Sequence, residues 1–183
     1  GTSWVNEGLL LESEARTNLL TYSEDFTDAS WNKNSITLTL DEVGPDGETS
    51  AYTMTSNTTG TERRVRVTTS QSVSTPYCLS FYTKAGNSSF TYVRNTALSG
   101  SPTADGVWWD NTDFTVTTLG TSVTAAGAEP AGNGWYRCWM YGTTLATIAA
   151  NLVDIGNSSA DGSVSSGAGD TGIFYGAQLE AGS

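Results

Sequence analysis

Apolar and polar residues alternate along most of the chain with the two-residue period of a half-buried strand. Ser35-Ile36-Thr37-Leu38-Thr39-Leu40 is the clearest stretch, and Arg64-Val65-Arg66-Val67-Thr68, Tyr77 to Thr83 and Phe90 to Asn95 repeat the pattern. Shorter candidates lie at 18–22, 51–54, 106–110, 114–117 and 122–125, and longer ones at 135–141, 147–155 and 173–180. Gly44-Pro45-Asp46-Gly47, Lys84-Ala85-Gly86-Asn87 and Asn133-Gly134 read as turns between them, 23–31 as a turn and 156–169 as a Ser/Gly/Ala loop. No segment sustains a helical period, and no exact internal repeat is present. Short strands with regular turn signals predict an all-β, two-sheet antiparallel sandwich. At 183 residues, one domain over 1–183 is expected. Residues 1–15 form a lead-in whose Gly8-Leu9-Leu10-Leu11-Glu12 run is a candidate first strand.

Composition narrows the function classes. Charged residues are 15% of the chain, so Thr, Ser, Asn and Gly must coat the surface, and six Trp and eight Tyr argue against disorder. Nineteen Asp and Glu against eight Lys and Arg give a net charge of −11. That balance excludes nucleic acid as a partner, because phosphate must be met by a basic surface. It also disfavours anionic membrane surfaces, and keeps the protein soluble. No run approaches the roughly 18 apolar residues of a spanning helix, so no membrane insertion is expected, and no signal peptide is read. Cys78 and Cys138 both lie in aromatic, strand-like runs. Free thiols are expected there, since unbridged Cys is a common packing residue, with a disulfide as the open alternative.

The chain contains no histidine. That removes the usual proton-transfer group near neutral pH, the commonest metal ligand, and the Ser-His and Cys-His pairings of nucleophilic catalysis. The expectation is therefore a protein that is not an enzyme. Glycoside hydrolysis by two carboxylates is the remaining catalytic route, but Glu24, Asp25, Asp110 and Asp113 have no context that marks them for it. No cofactor is expected. A structural calcium held by loop oxygens stays open beside the reading of the acids as solvated, although Asp105, Asp110 and Asp113 do not have EF-hand spacing.

Alternation also sorts the aromatics by face. Tyr77, Leu79 and Phe81 share a core side, leaving Cys78, Ser80, Tyr82 and Lys84 outward. Phe90, Tyr92 and Arg94 share a side, and Val65 and Val67 turn in where Arg64 and Arg66 turn out. If these outward sides join, Tyr82, Lys84, Tyr92, Arg94, Arg64 and Arg66 make one polar aromatic surface. Trp108 of the Trp108-Trp109 pair is a further candidate, because adjacent residues point to opposite faces. Aromatic rings stack on the C–H side of sugar rings, and Arg and Asn donate to hydroxyls, so these seven residues are the candidate carbohydrate site. The competing reading puts the aromatics in the core and pairs the arginines with acids. Trp135 reads as structural, Trp139 fits either role, and Trp31 reads as a lid beside Phe26.

Several phrases point to a family. Ala15-Arg16-Thr17-Asn18-Leu19-Leu20-Thr21-Tyr22-Ser23-Glu24-Asp25-Phe26 after Leu9-Leu10-Leu11-Glu12, then Ser30-Trp31-Asn32-Lys33, resemble the opening of a domain widespread in bacteriophage tail and virion proteins. Leu79 to Gly86, Gly132-Asn133-Gly134-Trp135-Tyr136-Arg137-Cys138 and Tyr175-Gly176-Ala177-Gln178-Leu179-Glu180-Ala181-Gly182-Ser183 continue the match in order. The domain is similar to jelly-roll carbohydrate-binding modules of the family 4 and 9 type. The resemblance implies a jelly roll of concanavalin or galactose-binding type, with ligand on a concave sheet face or at loop ends, and Trp135, Arg137 and Leu179 as core and turn positions. Tyr175 stands where related jelly rolls carry an Asp that helps hold calcium, and Cys78 where they carry Thr or a small residue. The function implied is a non-catalytic module that attaches a virion protein or secreted enzyme to polysaccharide or a cell-surface glycan, in a virion or extracellular setting. The alternative is a structural, oligomerising domain that packs against other virion chains without a small ligand.

Overall fold

The computed structural model describes residues 17–101 and 104–182. The lead-in at 1–15, with its candidate first strand, lies outside the described residues. Fourteen strands follow in chain order: β1 Trp31–Asn34, β2 Ile36–Val43, β3 Thr49–Ser56, β4 Gly60–Thr61, β5 Arg64–Thr68, β6 Pro76–Lys84, β7 Phe90–Asn95, β8 Gly106–Asp110, β9 Val116–Leu119, β10 Ala125–Gly132, β11 Trp135–Thr143, β12 Leu152–Ser158, β13 Ser165–Ser166 and β14 Thr171–Ala181. The helical content of the described residues is one 3₁₀ turn at Thr96–Leu98, capped by the Asn95 side chain, so no helix there is long and apolar enough to cross a membrane.

Two six-stranded sheets face each other, ordered β1-β5-β12-β7-β8-β9 and β10-β11-β6-β14-β3-β2, and every pairing is antiparallel. The fold is an antiparallel β-sandwich of jelly-roll type, with successive strands switching repeatedly between the sheets. Most of the predicted strands within the described residues are present with shifted ends, but 18–22 and 122–125 form no regular strand of their own, and β1, β4, β10 and β13 fall where no strand is expected. The 18–22 segment instead runs along the second half of β14. Leu19 donates its N–H to Leu179 O at 2.8 Å, and Ala177 donates to Ser23 O at 2.9 Å.

The core fills the space between the sheets with the residues that alternation turns inward. Val65, Val67, Val93, Val107, Trp109, Val153 and Ile155 come from one side, and Met54, Leu79, Phe81, Cys138, Met140, Phe174 and Leu179 from the other. Phe81 and Trp109 meet edge to face at 5.8 Å across the layer. Phe26 and Trp31 do the same at 5.0 Å, and both are buried. Burying large rings in this way contributes roughly 2–3 kcal/mol each. Cys138 faces this core while Cys78 faces outward, so the two cysteines are not bonded to each other.

Candidate functional site

Each sheet has an outer side, and the seven predicted site residues divide between them. On the first sheet the register aligns Asn32, Arg66, Asp154, Arg94 and Gly106 in one row. The next row is Asn34, Arg64, Gly156, Tyr92, Trp108 and Thr118. Arg64, Arg66, Tyr92, Arg94 and Trp108 therefore share one face, as the alternation requires. The face is covered. Tyr92 and Trp108 are fully buried, and Arg64 and Arg94 are each 4% exposed.

The cover is a flap of two loops joined by the β4–β13 pair. Trp108 donates its indole N–H to Ser163 O, and Tyr92 donates its hydroxyl to Arg63 O at 3.3 Å. A Cβ on Gly156 would come within 2.4 Å of Arg63 O and 2.7 Å of the Tyr92 ring. Glycine there lets the flap backbone sit directly on the sheet. Beneath it, Tyr92 and Trp108 stack at 5.8 Å with a 22° tilt.

The arginines are paired rather than presented. Arg66 donates Nε and Nη2 to the two oxygens of buried Asp154 at 2.5 and 2.8 Å. Arg64 Nε and Arg94 Nη1 lie 3.3 and 3.5 Å from the same carboxylate. Arg94 also grips Asp105 through Nε at 2.8 Å, and Arg64 Nη1 lies 2.9 Å from Glu62. Three guanidiniums thus meet three carboxylates, and the network is neutral overall. Burial pushes the Asp105 carboxyl above its ordinary range despite the Arg94 bonds. Partial burial also pushes Glu62 up, but Arg64, with Arg66 and Arg94 behind it, outweighs that and holds it below the usual range.

Tyr82 and Lys84 stand on the outer side of the second sheet. One row there is Glu129, Arg137, Tyr82 and Tyr175; the next is Gly127, Trp139, Ser80 and Gln178; a third is Ala125, Tyr141, Cys78 and Glu180. Trp139, Tyr141, Tyr82, Tyr175 and Arg137 are all half-buried, and Gln178 is exposed. The expected single surface is therefore two surfaces on opposite sides of the molecule. Arg137, Tyr141 and Tyr175 are not among the expected site residues and Trp139 is open between two roles, although odd-numbered parity in Trp135 to Tyr141 places Arg137, Trp139 and Tyr141 on one face. Arg137, expected as a core or turn position, is outward on β11, while Trp135 and Leu179 are buried.

Local detail makes this face a platform. A Cβ on Gly127 would fall 2.9 Å from Trp139 Cζ2 and 3.1 Å from Cε2, so the indole packs directly against the bare backbone of β10. Tyr82 and Tyr175 pack at 6.1 Å with a 55° tilt, beside the bulge at Gly176, whose φ is 49°. Arg137 donates Nη2 to Ser80 Oγ at 3.1 Å. One end is closed by the β2–β3 hairpin. Trp135, outward but buried, donates its indole N–H to Val43 O at 3.1 Å, and Lys84 Nζ lies 3.6 Å from Glu42. Burial, then the Glu24 and Asp46 carboxylates, push the Tyr175 hydroxyl up to about 12, so it stays a neutral donor.

The arrangement offers flat apolar rings edged by a guanidinium, an amide and hydroxyls. Such a mix suits a ligand with apolar C–H faces and many hydroxyls. Among the described residues no group of three or more Cys, Asp or Glu side chains converges as a cation site.

No family model and no curated protein sequence matches the chain. Solved structures do match it by fold. TmCBM61 in complex with beta-1,4-galactotriose has a TM-score of 0.51 at 12% identity, over 91% of this chain and 99% of that one. The enzymatically active domain of bacteriophage CBA120 tailspike protein 4 has a TM-score of 0.50 at 14% identity, over 90% of this chain. The chain spans about a fifth of that tailspike structure (21%). At these identities the likeness is one of fold.

Proposed function

We propose that the chain is a single, non-catalytic carbohydrate-binding domain that holds polysaccharide on the outer side of the second sheet. Its role is to attach a virion protein or secreted enzyme to a glycan surface. The observation that carries this reading is the run of half-exposed rings Trp139, Tyr141, Tyr82 and Tyr175 across three neighbouring strands, interleaved with Arg137 and Gln178. The galactotriose carried by the TmCBM61 match supports the ligand class, and the tailspike match supports the setting. In this reading Tyr82 and Lys84 keep their place at the ligand. Tyr92, Arg94, Arg64, Arg66 and Trp108 stabilise the opposite face instead.

Affinity electrophoresis through gels cast with single polysaccharides, beta-1,4-galactan among them, tests the proposal. Retardation by at least one polysaccharide, lost in Trp139→Ala and kept in Arg66→Lys, is the expected result. A chain that no polysaccharide in a broad panel retards is not a carbohydrate-binding domain.

A second reading has its own observation. Leu40 and Val43 are 51% and 54% exposed on β2, the outermost strand of its sheet, whose free edge can template pairing with another chain. A structural, oligomerising role in a virion protein follows from that edge. A stable oligomer by light scattering, dispersed by Leu40→Lys, would favour it.

A further inference from the structure

We infer that the outer face of the second sheet rejects anionic glycans, and that the glycan it holds is uncharged or carries ammonium groups. This rests on the binding proposal above and adds the charge class of the ligand. The residues that set it are the carboxylates around the rings. Glu129 lies opposite Arg137, and Glu180 shares a row with Tyr141. Glu24 and Asp46 flank the Tyr175 hydroxyl closely enough to raise its pKa. Glu42 stands beside Lys84 at the closed end.

Against these five carboxylates the face holds two cations. Lys84 is beside Glu42, and Arg137 donates to Ser80. Among the described residues no Lys or Arg nitrogen comes within ion-pair distance of Glu24, Asp46 or Glu180. The surrounding molecule adds to the effect, since its net charge is −11. The arginines that could have received a carboxylate are on the other sheet, buried and already neutralised by Asp154, Asp105 and Glu62. A uronate or sulfate stacked on Trp139 or Tyr82 would meet five carboxylates against two cations, with Arg137 the one guanidinium of that face among the described residues. An ammonium would meet the same carboxylates and the negative faces of the rings, both attractive.

Each like charge at about 8–10 Å across water weakens binding roughly twofold, so three in excess amount to about tenfold. That penalty fades at physiological salt, where the screening length is about 8 Å. The test is affinity electrophoresis and calorimetry on matched polymers: galactan and polygalacturonate, dextran and carboxymethyl-dextran, mannan and polymannuronate, and polygalacturonate before and after methyl esterification. Low salt is used, where screening reaches about 30 Å. The expected result is retention by a neutral member roughly tenfold stronger than by its carboxylated partner, with the gap narrowing as salt rises. The double variant Glu129→Gln with Glu180→Gln should narrow the gap to about twofold. Equal or tighter binding of a carboxylated member overturns the charge inference while leaving the binding proposal standing. A gap untouched by the double variant removes these residues as its cause. Binding to no polymer in either form overturns the binding proposal and this inference together.

Discussion

Replacing Asp154 with Asn tests whether the arginine face is structural. Asp154 is fully buried and is the one carboxylate that reaches all three of Arg64, Arg66 and Arg94. Asn keeps the volume, so no cavity opens and the change isolates the charge. After the substitution Arg94 keeps Asp105 and Arg64 keeps Glu62, but Arg66 loses its only ion-pair partner among the described residues. Removing one partner of a buried pair costs about 3–5 kcal/mol, because the remaining charge stays desolvated. Arg66 is 26% exposed and draws some water, which puts the expected loss near the lower end, about 3 kcal/mol. For a domain of this size each kcal/mol moves the melting temperature by about 2–4 °C, so the melt should fall by roughly 6–12 °C. Urea unfolding followed by tryptophan fluorescence gives the free energy directly, and an unchanged m-value confirms that the folded state is the same. Arg66→Met should cost less, since Asp154 keeps two cations nearby. A loss under about 1 kcal/mol for Asp154→Asn would put it in the range of surface pairs and refute the buried network as a source of stability.

Two tryptophans should separate the two faces. Trp139→Ala should weaken polysaccharide binding by about 1–3 kcal/mol with a small change in melting temperature, whereas Trp108→Ala should cost about 3–5 kcal/mol of stability; the reverse assignment would invalidate the choice of face. Gly127→Val should displace the Trp139 indole, whose ring occupies the space of the new side chain, and weaken binding without any change to a ligand-contacting residue; unaltered affinity would show that the platform does not depend on β10. At alkaline pH, Tyr175 keeps its proton in the folded state up to about 12, against about 10 when unfolded. The unfolded chain then releases its proton first, so the Tyr175 contribution is complete below about pH 10 and is lost as pH rises to about 12. Tyr175→Phe should therefore lose less stability across that window, as read by urea midpoints at successive pH values, and identical slopes in the two proteins would count against the carboxylate environment of the hydroxyl.

The sandwich was legible because alternation is a local property. In Arg64 to Thr68, Tyr77 to Lys84 and Phe90 to Asn95, the parity of each residue set its face correctly. What covers a face is not local. The flap over Arg64, Tyr92, Arg94 and Trp108 comes from loops near 57–63 and 159–166, whose small polar residues mark a loop but not its destination. Which strands neighbour one another is equally non-local. Tyr82 and Tyr92 have the same outward pattern on successive strands, yet β6 and β7 belong to different sheets. A surface assembled from parity alone therefore joined residues from opposite sides of the molecule.

One of the strands that alternation does not reveal, β10, is also the one that supports the platform. Ala125-Ala126-Gly127-Ala128-Glu129-Pro130-Ala131-Gly132 has no β-branched or aromatic residue, and it contains Pro and two Gly, all poor strand signals. It pairs as a strand because it is an edge, hydrogen-bonded to β11 along one side, where a proline is tolerated. The same smallness gives it a use. With no side chain at Gly127, the Trp139 indole packs directly against the β10 backbone. A Val or Thr there would have made the strand readable and displaced the indole. Weak propensity at β10 and an aromatic surface at β11 are thus two consequences of one local choice, a glycine opposite a tryptophan.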